Sequence, residues 1–365
     1  MIFYVDIYLD HNLGDDLFLD TLLQRYPEHE FHVGVPGHIK QLNEHFKKYY
    51  NLKIVKPIGI KNILDAFKYD VYVLIGGSIY MDLGPKFHRI WLSRLIKSMF
   101  FSLKGNPFFV IGANLGPFNT RLGKILLWMH FNLVRHISVR DVHSYNILKK
   151  WKIFNTYSMA PDVVFSHKSN LNFVECDGEM LGISVINTKR HVQAKSAYID
   201  KMRSLITHYL GRSSENKVLI MGFDGGLEND DEVIQEILKS ESVENLLASD
   251  RIEVINYSPQ IDMMTYLNKL NQCKSIICSR FHAMILAMKY NKRIYPICYS
   301  EKMENVLLDM KSQILGIKYE NIADLRVNDV LDSLMLDNSS YFNKKDIGAA
   351  EKHFSCIDVF IESRK

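Results

Sequence analysis

The sequence predicts an α/β protein made of two doubly wound domains in tandem. Three observations carry that expectation. Short β-branched or aromatic runs alternate with helical patterns through the first half, and the same alternation restarts after a polar stretch at Lys168–Gly178. The 365 residues, 47% of them hydrophobic, also suffice for two cores. The boundaries that follow are 1–170, 178–340 and a C-terminal tail over 341–365 with a helical pattern in Ala349–Phe354.

In the first domain the strands are read at Ile2–Leu9, Glu30–Val35, Leu52–Val55, Val71–Ile75, Phe108–Ile111, Ile137–Val139 and Asn155–Met159. Between them, apolar residues such as Leu19, Leu22 and Leu23, or Ile125, Leu126, Met129 and Leu133, recur with the period of an amphipathic helix. The second domain repeats the pattern with strands at Leu181–Val185, Lys217–Phe223, Ile252–Tyr257, Ser275–Cys278 and Arg293–Ile297. Helices are expected over Tyr198–Leu210, Asp231–Lys239 and Asp262–Gln272. Such alternation produces mostly parallel sheets with helices on both faces.

Net charge is +4, too small to point to nucleic acid, but its basic excess is concentrated in the first half. Lys86, Arg89, Arg94, Lys97 and Lys104 are interleaved with Trp91, Leu95, Met99 and Phe101, with no acidic residue between. Two readings fit this stretch: a connecting helix with its polar face in water, or a basic amphipathic helix resting on anionic lipid. Arg94, Lys97, Lys124 and Arg135 interrupt every run approaching the eighteen or so apolar residues of a membrane span. Met1–Asp6 lacks the basic start and apolar core of a signal peptide, so a cytoplasmic protein is expected, with peripheral membrane contact open. Cys176, Cys273, Cys278, Cys298 and Cys356 are scattered and form no paired CxxC units, so buried, reduced thiols and no metal are expected.

Small and polar residues collect where strands end, the edge at which open α/β sheets bind ligands. The first strand leads into Asn12, Gly14, Asp15 and Asp16, the fourth into Gly76, Gly77 and Ser78, and the fifth into Gly112, Asn114 and Gly116. No GxGxxG or GK[ST] phosphate loop is present. Asp15 and Asp16 suit either a helix cap or a general base. Arg140 and Asp141 read as a structural pair, with Pro161-Asp162 closing the domain. In the second domain, Ser279-Arg280-Phe281-His282-Ala283 joins a buried strand to a helix, and Lys302 follows. A helix N-terminus, a guanidinium and an ammonium together favour an anionic substrate, and an imidazole there can move protons. The plainer alternative makes Arg280 an ion-pair partner and His282 a core residue.

These motifs, in this order, with Gly182-Ile183-Ser184 and Tyr299-x-x-Lys302, resemble the polysaccharide pyruvyl transferase family over nearly the whole chain. The chain departs from the family pattern at Ser78, where a third glycine is usual, and at Asn187 and Thr188, where a basic residue often follows. The resemblance implies two Rossmann-like domains in a GT-B-like arrangement about a cleft. It implies an acceptor side on the first domain, a donor side on the second, and a tail that returns to the first. The implied activity transfers the enolpyruvyl group of phosphoenolpyruvate to two hydroxyls of a saccharide of a bacterial surface polysaccharide or its lipid-linked precursor, releasing phosphate.

On that reading His282 is the acid, Asp15 or Asp16 the base, and Ser279, Arg280 and Lys302 hold the donor. Asn12, Gly14, Gly76, Gly77, Ser78 and Asn114 then line the acceptor side or the cleft. No cofactor beyond phosphoenolpyruvate as co-substrate is expected, and oligomeric state is open. Two alternatives stand beside it: a GT-B glycosyltransferase using a nucleotide sugar, with Asp224 for the ribose hydroxyls, and a non-catalytic binding protein of the same fold.

Overall fold

Seven all-parallel strands form the first sheet of this computed structural model, which describes residues 1–365 except 40, 83, 172–178, 189–190, 227, 241–242, 245, 247–249, 311–313, 315 and 337–346. Much of the polar stretch at 168–178, with Cys176, and tail residues 341–346 lie outside the described residues. In chain order the first domain contains β1 (Ile2–Asp6), α1 (Leu13–Arg25), β2 (Glu30–Gly34), β3 (Leu52–Val55), β4 (Val71–Ile75), β5 (Tyr80–Asp82) and α2 (His88–Lys104). It continues with β6 (Phe108–Ala113), β7 (Leu115–Phe118), α3 (Arg121–Phe131), β8 (His136–Val139), α4 (Val142–Lys150) and β9 (Thr156–Met159). The sheet order is β3-β2-β1-β4-β6-β8-β9. Every residue of β4 and β6 is buried, as a parallel strand covered on both faces requires.

The second domain contains β10 (Met180–Ser184), α5 (Lys195–Gly211), β11 (Lys217–Gly222), α6 (Asp230–Leu238), β12 (Ile252–Asn256), α7 (Met263–Gln272) and β13 (Ser275–Cys278). Then come α8 (Phe281–Lys289), β14 (Arg293–Cys298), α9 (Glu301–Asp309), β15 (Ile317–Lys318) and α10 (Val327–Ser333). Its order, β12-β11-β10-β13-β14-β15, is the 3-2-1-4-5-6 winding of a Rossmann domain. In both sheets the winding reverses beside the first strand, between β1 and β4 and between β10 and β13, and ligands bind outside the carboxyl ends at such points.

The predicted α/β class with two doubly wound, parallel-sheet units is the observed one. The strand read at Ile2–Leu9 stops at Asp6, because the following residues leave the sheet to meet the second domain while Ile7 and Leu9 stay buried. A small parallel pair, β5 with β7, escaped the sequence reading; strands of three and four residues carry no usable period. Among the described residues no helix is long and apolar enough to cross a membrane.

One apolar cluster runs without a break from α1 (Leu17, Leu22) through α7 (Leu267) to α8 (Met284, Leu286), so the two domains share a core. The C-terminal segment packs on the first domain: Tyr26 donates to Asp358 at 2.8 Å and His353 Nδ1 lies 2.8 Å from the Ser138 hydroxyl. Phe354 is fully buried there, with the Arg25 guanidinium 5.0 Å from its ring centroid. Phe354→Ala is expected to cost about 3–5 kcal/mol, read as a lower urea midpoint at unchanged slope.

Candidate active site

A cavity of about 120 Å³ opens where the two switch points meet. The first domain supplies Asn12 and Asp15 after β1, Gly77 and Ser78 after β4, and Arg140 after β8. The second supplies Phe223 after β11, Arg280, Phe281 and His282 after β13, and Tyr299 and Lys302 after β14.

Main-chain pairing holds these two walls in register. Leu13 N donates to the Phe223 carbonyl at 3.1 Å and Gly225 N to the His11 carbonyl at 3.0 Å, an antiparallel bridge between the domains. Asn12 completes it: its Oδ1 caps α1 through Gly14 N at 3.0 Å, and its Nδ2 donates to Asp224 at 3.0 Å. A side chain that caps a helix and crosses to the other domain fixes where α1 begins relative to β11.

On the second domain, the Ser184 hydroxyl accepts from the main-chain nitrogens of Ser279 (2.9 Å) and Arg280 (3.2 Å), fixing the turn that starts α8. Gly182, two residues earlier, is closely packed: a Cβ there would lie 2.8 Å from the Met221 methyl and 2.9 Å from the Cys273 sulfur. Ser279 is buried, accepts from Tyr198 at 2.9 Å and does not line the cavity. Arg280 lines the cavity, but its guanidinium grips the buried Asp230 through Nε (3.0 Å) and Nη2, and Glu228 through Nη1. Burial opposes its charge, yet Asp230 and Glu228 more than offset that and hold the guanidinium well above its ordinary pKa. Lys302 has no carboxylate partner among the described residues; its ammonium lies over the rings of Tyr299 (5.2 Å) and Phe281 (5.3 Å).

His282 reaches across and rests on Gly14, where a Cβ would stand 1.7 Å from Nδ1. Phe18 meets the ring edge-on at 5.3 Å, and Nε2 is inaccessible and has no hydrogen-bond partner among the described residues. By surface area the residue as a whole is partly exposed at the cavity wall, although its ring is densely surrounded.

Arg140 makes the matching approach on the first domain, packed on Gly77 so that a Cβ there would lie 2.3 Å from Nη2. Its Nη1 pairs with Asp162 at 2.5 Å, its Nε donates to Asn114 at 2.5 Å, and the guanidinium carbon sits 4.3 Å from the Phe281 ring centroid. The expected Arg140–Asp141 pairing does not form: Asp141 instead caps α4, accepting from Ser144 N at 2.7 Å, and accepts from Asn114.

Ionisation follows from this crowding. Burial, reinforced by Arg140, Lys302 and Arg280 against the pull of Asp162, lowers His282 to about 3. Burial and the neighbouring Asp16 raise Asp15 to about 8, against the attraction of Arg140 and Lys302. In the free protein near neutral pH, the imidazole is therefore neutral and Asp15 carries the proton, the reverse of the protonation expected for an acidic His282 and a basic Asp15.

Of the residues singled out in the sequence, Asn12, Asp15, Gly77, Ser78, Arg280, His282 and Lys302 line the cavity. Asp16 lies behind it, accepting from Tyr257 at 2.5 Å, and burial raises it to about 7. Gly14, Gly76, Asn114 and Ser279 stand one layer back, Gly76 with φ +151 at the end of β4 and Asn114 orienting Arg140. Sequence reasoning missed Arg140 as a cavity residue and missed Phe223, Phe281 and Tyr299. The available signal for Arg140 was its position directly after the strand ending at Val139.

Fold and site together define a two-domain α/β protein of GT-B type with its cavity between apposed switch points. A sequence profile of the polysaccharide pyruvyl transferase family matches residues 12–301, and the chain belongs to this transferase family. No curated protein matches it in sequence. Solved structures share the fold at low identity. UDP-GlcNAc 2-epimerase of Methanocaldococcus jannaschii aligns with a TM-score of 0.64 at 10% identity, covering 98% of this chain and 100% of its own. The Neisseria meningitidis UDP-GlcNAc 2-epimerase bound to UDP-GlcNAc aligns at 0.63 and 10%, covering 99% of each. HepE of Anabaena, in complex with UDP and glucose, aligns at 0.59 and 9%, also covering 99% of each.

Because the His282 ring fills the space above Gly14, Gly14→Ala is expected to displace the imidazole and lower turnover by about a hundredfold. Far-ultraviolet circular dichroism should remain native, since alanine suits a first helical turn. Wild-type turnover in that variant would contradict the placement of His282.

Proposed function

We propose that this protein transfers the enolpyruvyl group of phosphoenolpyruvate to two hydroxyls of a saccharide, forming a cyclic pyruvate ketal and releasing phosphate. The acceptor is a bacterial surface polysaccharide or its lipid-linked precursor, met on the cytoplasmic side. The observation that carries the reading is His282, whose Nε2 has no hydrogen-bond partner among the described residues, on the wall of a small cavity that Lys302, Arg140 and a protonated Asp15 also line. Phosphoenolpyruvate has a carboxylate and a phosphate to pair with cations and helix N-termini, and a methylene carbon that must receive a proton.

Family membership supports the transfer, and the cavity supports the size of the donor. At about 120 Å³ it falls well below the ~300–1,000 Å³ of pockets for drug-sized ligands, which suits a three-carbon phosphate better than a nucleotide sugar. Asp224, the carboxylate that a nucleotide-sugar enzyme would offer to ribose, is engaged by Asn12.

Asp15 delivers its proton to the methylene carbon, leaving an oxocarbenium-like centre at the carbon bearing the phosphate. Neutral His282 accepts the proton of the attacking saccharide hydroxyl. The C–O bond to phosphate breaks, a second hydroxyl closes the ketal, and its proton leaves with phosphate. His282 then returns its proton to Asp15, so the two hydroxyl protons balance one C–H bond and one protonated phosphate. Lys302 and Arg140 stabilise the departing charge, and Arg280, anchored on Asp230, keeps the turn and its positive potential in place. The scheme calls for no metal or resident cofactor.

Ligand-induced melting shifts test the donor. Phosphoenolpyruvate at about 100 times its Kd should stabilise the protein by about 2.7 kcal/mol, and UDP-sugars should not. Stabilisation by a UDP-sugar with none from phosphoenolpyruvate would sink the proposal.

The pH dependence tests Asp15. With its carboxyl raised from 3.8 to about 8, the folded state holds a proton that the unfolded chain releases. The associated stability is fully present below pH 3.8 and is lost as pH rises through about 8. Asp15→Asn should therefore melt higher than wild type above pH 8 while losing at least ~100-fold in turnover. In wild type, kcat/KM should fall above about pH 8. An Asp15→Asn enzyme that retains both full activity and that alkaline limb would remove Asp15 from the chemistry.

A further inference from the structure

We propose that the outer face of the helical layer formed by α2 and α3 docks on an anionic lipid bilayer. Between Asp82 and Asp141 the chain contains nine Lys and Arg and no Asp or Glu. Four of the nine are engaged within the protein: Lys97 pairs with Asp6, Arg94 and Lys104 donate to main-chain carbonyls, and Arg140 lines the cavity. The exposed remainder, Lys86, Arg89, Arg121, Lys124 and Arg135, forms no ion pair among the described residues. A surface of uncompensated cations is expected to attract anionic headgroups.

The same face is apolar where a water-facing helix layer would be polar. Leu103 is 86% exposed on α2, and α3 presents Leu122, Ile125, Trp128 and Met129 at helical spacing to the outside. Phe154, 80% exposed, meets the Trp128 ring at 6.0 Å and extends the patch. Aromatic and aliphatic side chains interleaved with Lys and Arg are the composition of an interfacial surface. A second copy of the chain is a poor occupant, because an isologous contact would bring the two cation sets together. Nucleic acid is also a poor one, since exposed aliphatic side chains such as Leu103 and Ile125 offer nothing to phosphates.

The topology says where the membrane would lie. α2 and α3 follow β5 and β7, the small pair into which the chain runs from the carboxyl ends of β4 and β6, so both helices begin toward that edge, and His88 and Thr120 tie their starts together at 2.8 Å. Lys86, Arg89, Arg121 and Lys124 sit at or near those starts, placing the charged margin of the docking face toward the sheet edge on which the cavity opens. A saccharide carried on a lipid anchor would meet the site from that side, a consequence that goes beyond the transfer reaction and is tested without donor or acceptor.

Co-sedimentation of the full chain with vesicles decides the matter. Vesicles of phosphatidylcholine with phosphatidylglycerol should bind it at least about tenfold more tightly than phosphatidylcholine alone, and salt should weaken the binding. Arg121→Glu with Lys124→Glu, and separately Leu103→Ser with Trp128→Ser, should each reduce binding about tenfold or more while the melting temperature stays within a few degrees. Failure to bind the anionic vesicles, or binding unchanged in both variants, overturns the proposal. A concentration-dependent dimer lost in the same variants would assign the face to a second copy and overturn it equally. The melting shift with phosphoenolpyruvate, measured on the same variants, is expected to be unaltered, so failure of docking is read separately from failure of the proposed reaction.

Discussion

The antiparallel bridge between His11–Leu13 and Phe223–Gly225 is the interaction on which the rest depends. It consists of main-chain hydrogen bonds, so it tolerates almost no change in spacing between the sheets. With those strand ends joined, His282 on one domain lands on Gly14 of the other at a distance that admits no β-carbon. The shared apolar core from α1 to α8 backs the same arrangement, and the His45–Asp20 contact at 2.9 Å with His45–Asp262 at 3.2 Å extends it along α1. The cavity is therefore a property of the pair of domains, and neither sheet has it alone.

Closeness on this scale has an electrostatic consequence. Asp15, His282, Arg140, Arg280 and Lys302 all line a cavity of about 120 Å³, a volume in which an unpaired charge is costly. Arg140 pairs with Asp162, whereas burial, reinforced by the nearby Arg140, Lys302 and Arg280, keeps His282 neutral. Asp15 has Asp16 beside it and no hydrogen-bond donor of its own among the described residues, so it retains a proton to about pH 8. A neutral acid beside a neutral base is the pairing that general acid–base chemistry near neutral pH uses. It arises here from packing: neither residue type alone predicts it.

The sequence made the sheets legible because parallel strands covered on both faces read as short apolar runs. β3, β4 and β13 match their expected bounds residue for residue. The turn at Ser279–Ala283 was legible for a related reason, since a strand running into a helix with no linker must point its first helical residues at the sheet edge. Partners distant in sequence were not legible. Arg280 meets Asp230 fifty positions away, and Arg140 passes over adjacent Asp141 for Asp162 because Asp141 is the N-cap of α4. Protonation states were the least legible, because each depends on the whole set of neighbours. The basic, apolar stretch from Lys86 to Lys104 had two sequence readings. The structure shows a helix that does connect strands in a Rossmann domain and also presents part of its apolar surface outward.

The proposed reaction requires one donor site built jointly by the carboxyl edges of both sheets. The most direct measurement is a crystal structure with phosphoenolpyruvate bound and the acceptor withheld. Donor density is expected between α1 and α8, with the phosphate near Lys302 and Arg140 and the methylene carbon facing Asp15. Donor density confined to one domain and remote from Asp15 and His282, or a nucleotide sugar bound in the same cavity in place of phosphoenolpyruvate, would contradict it.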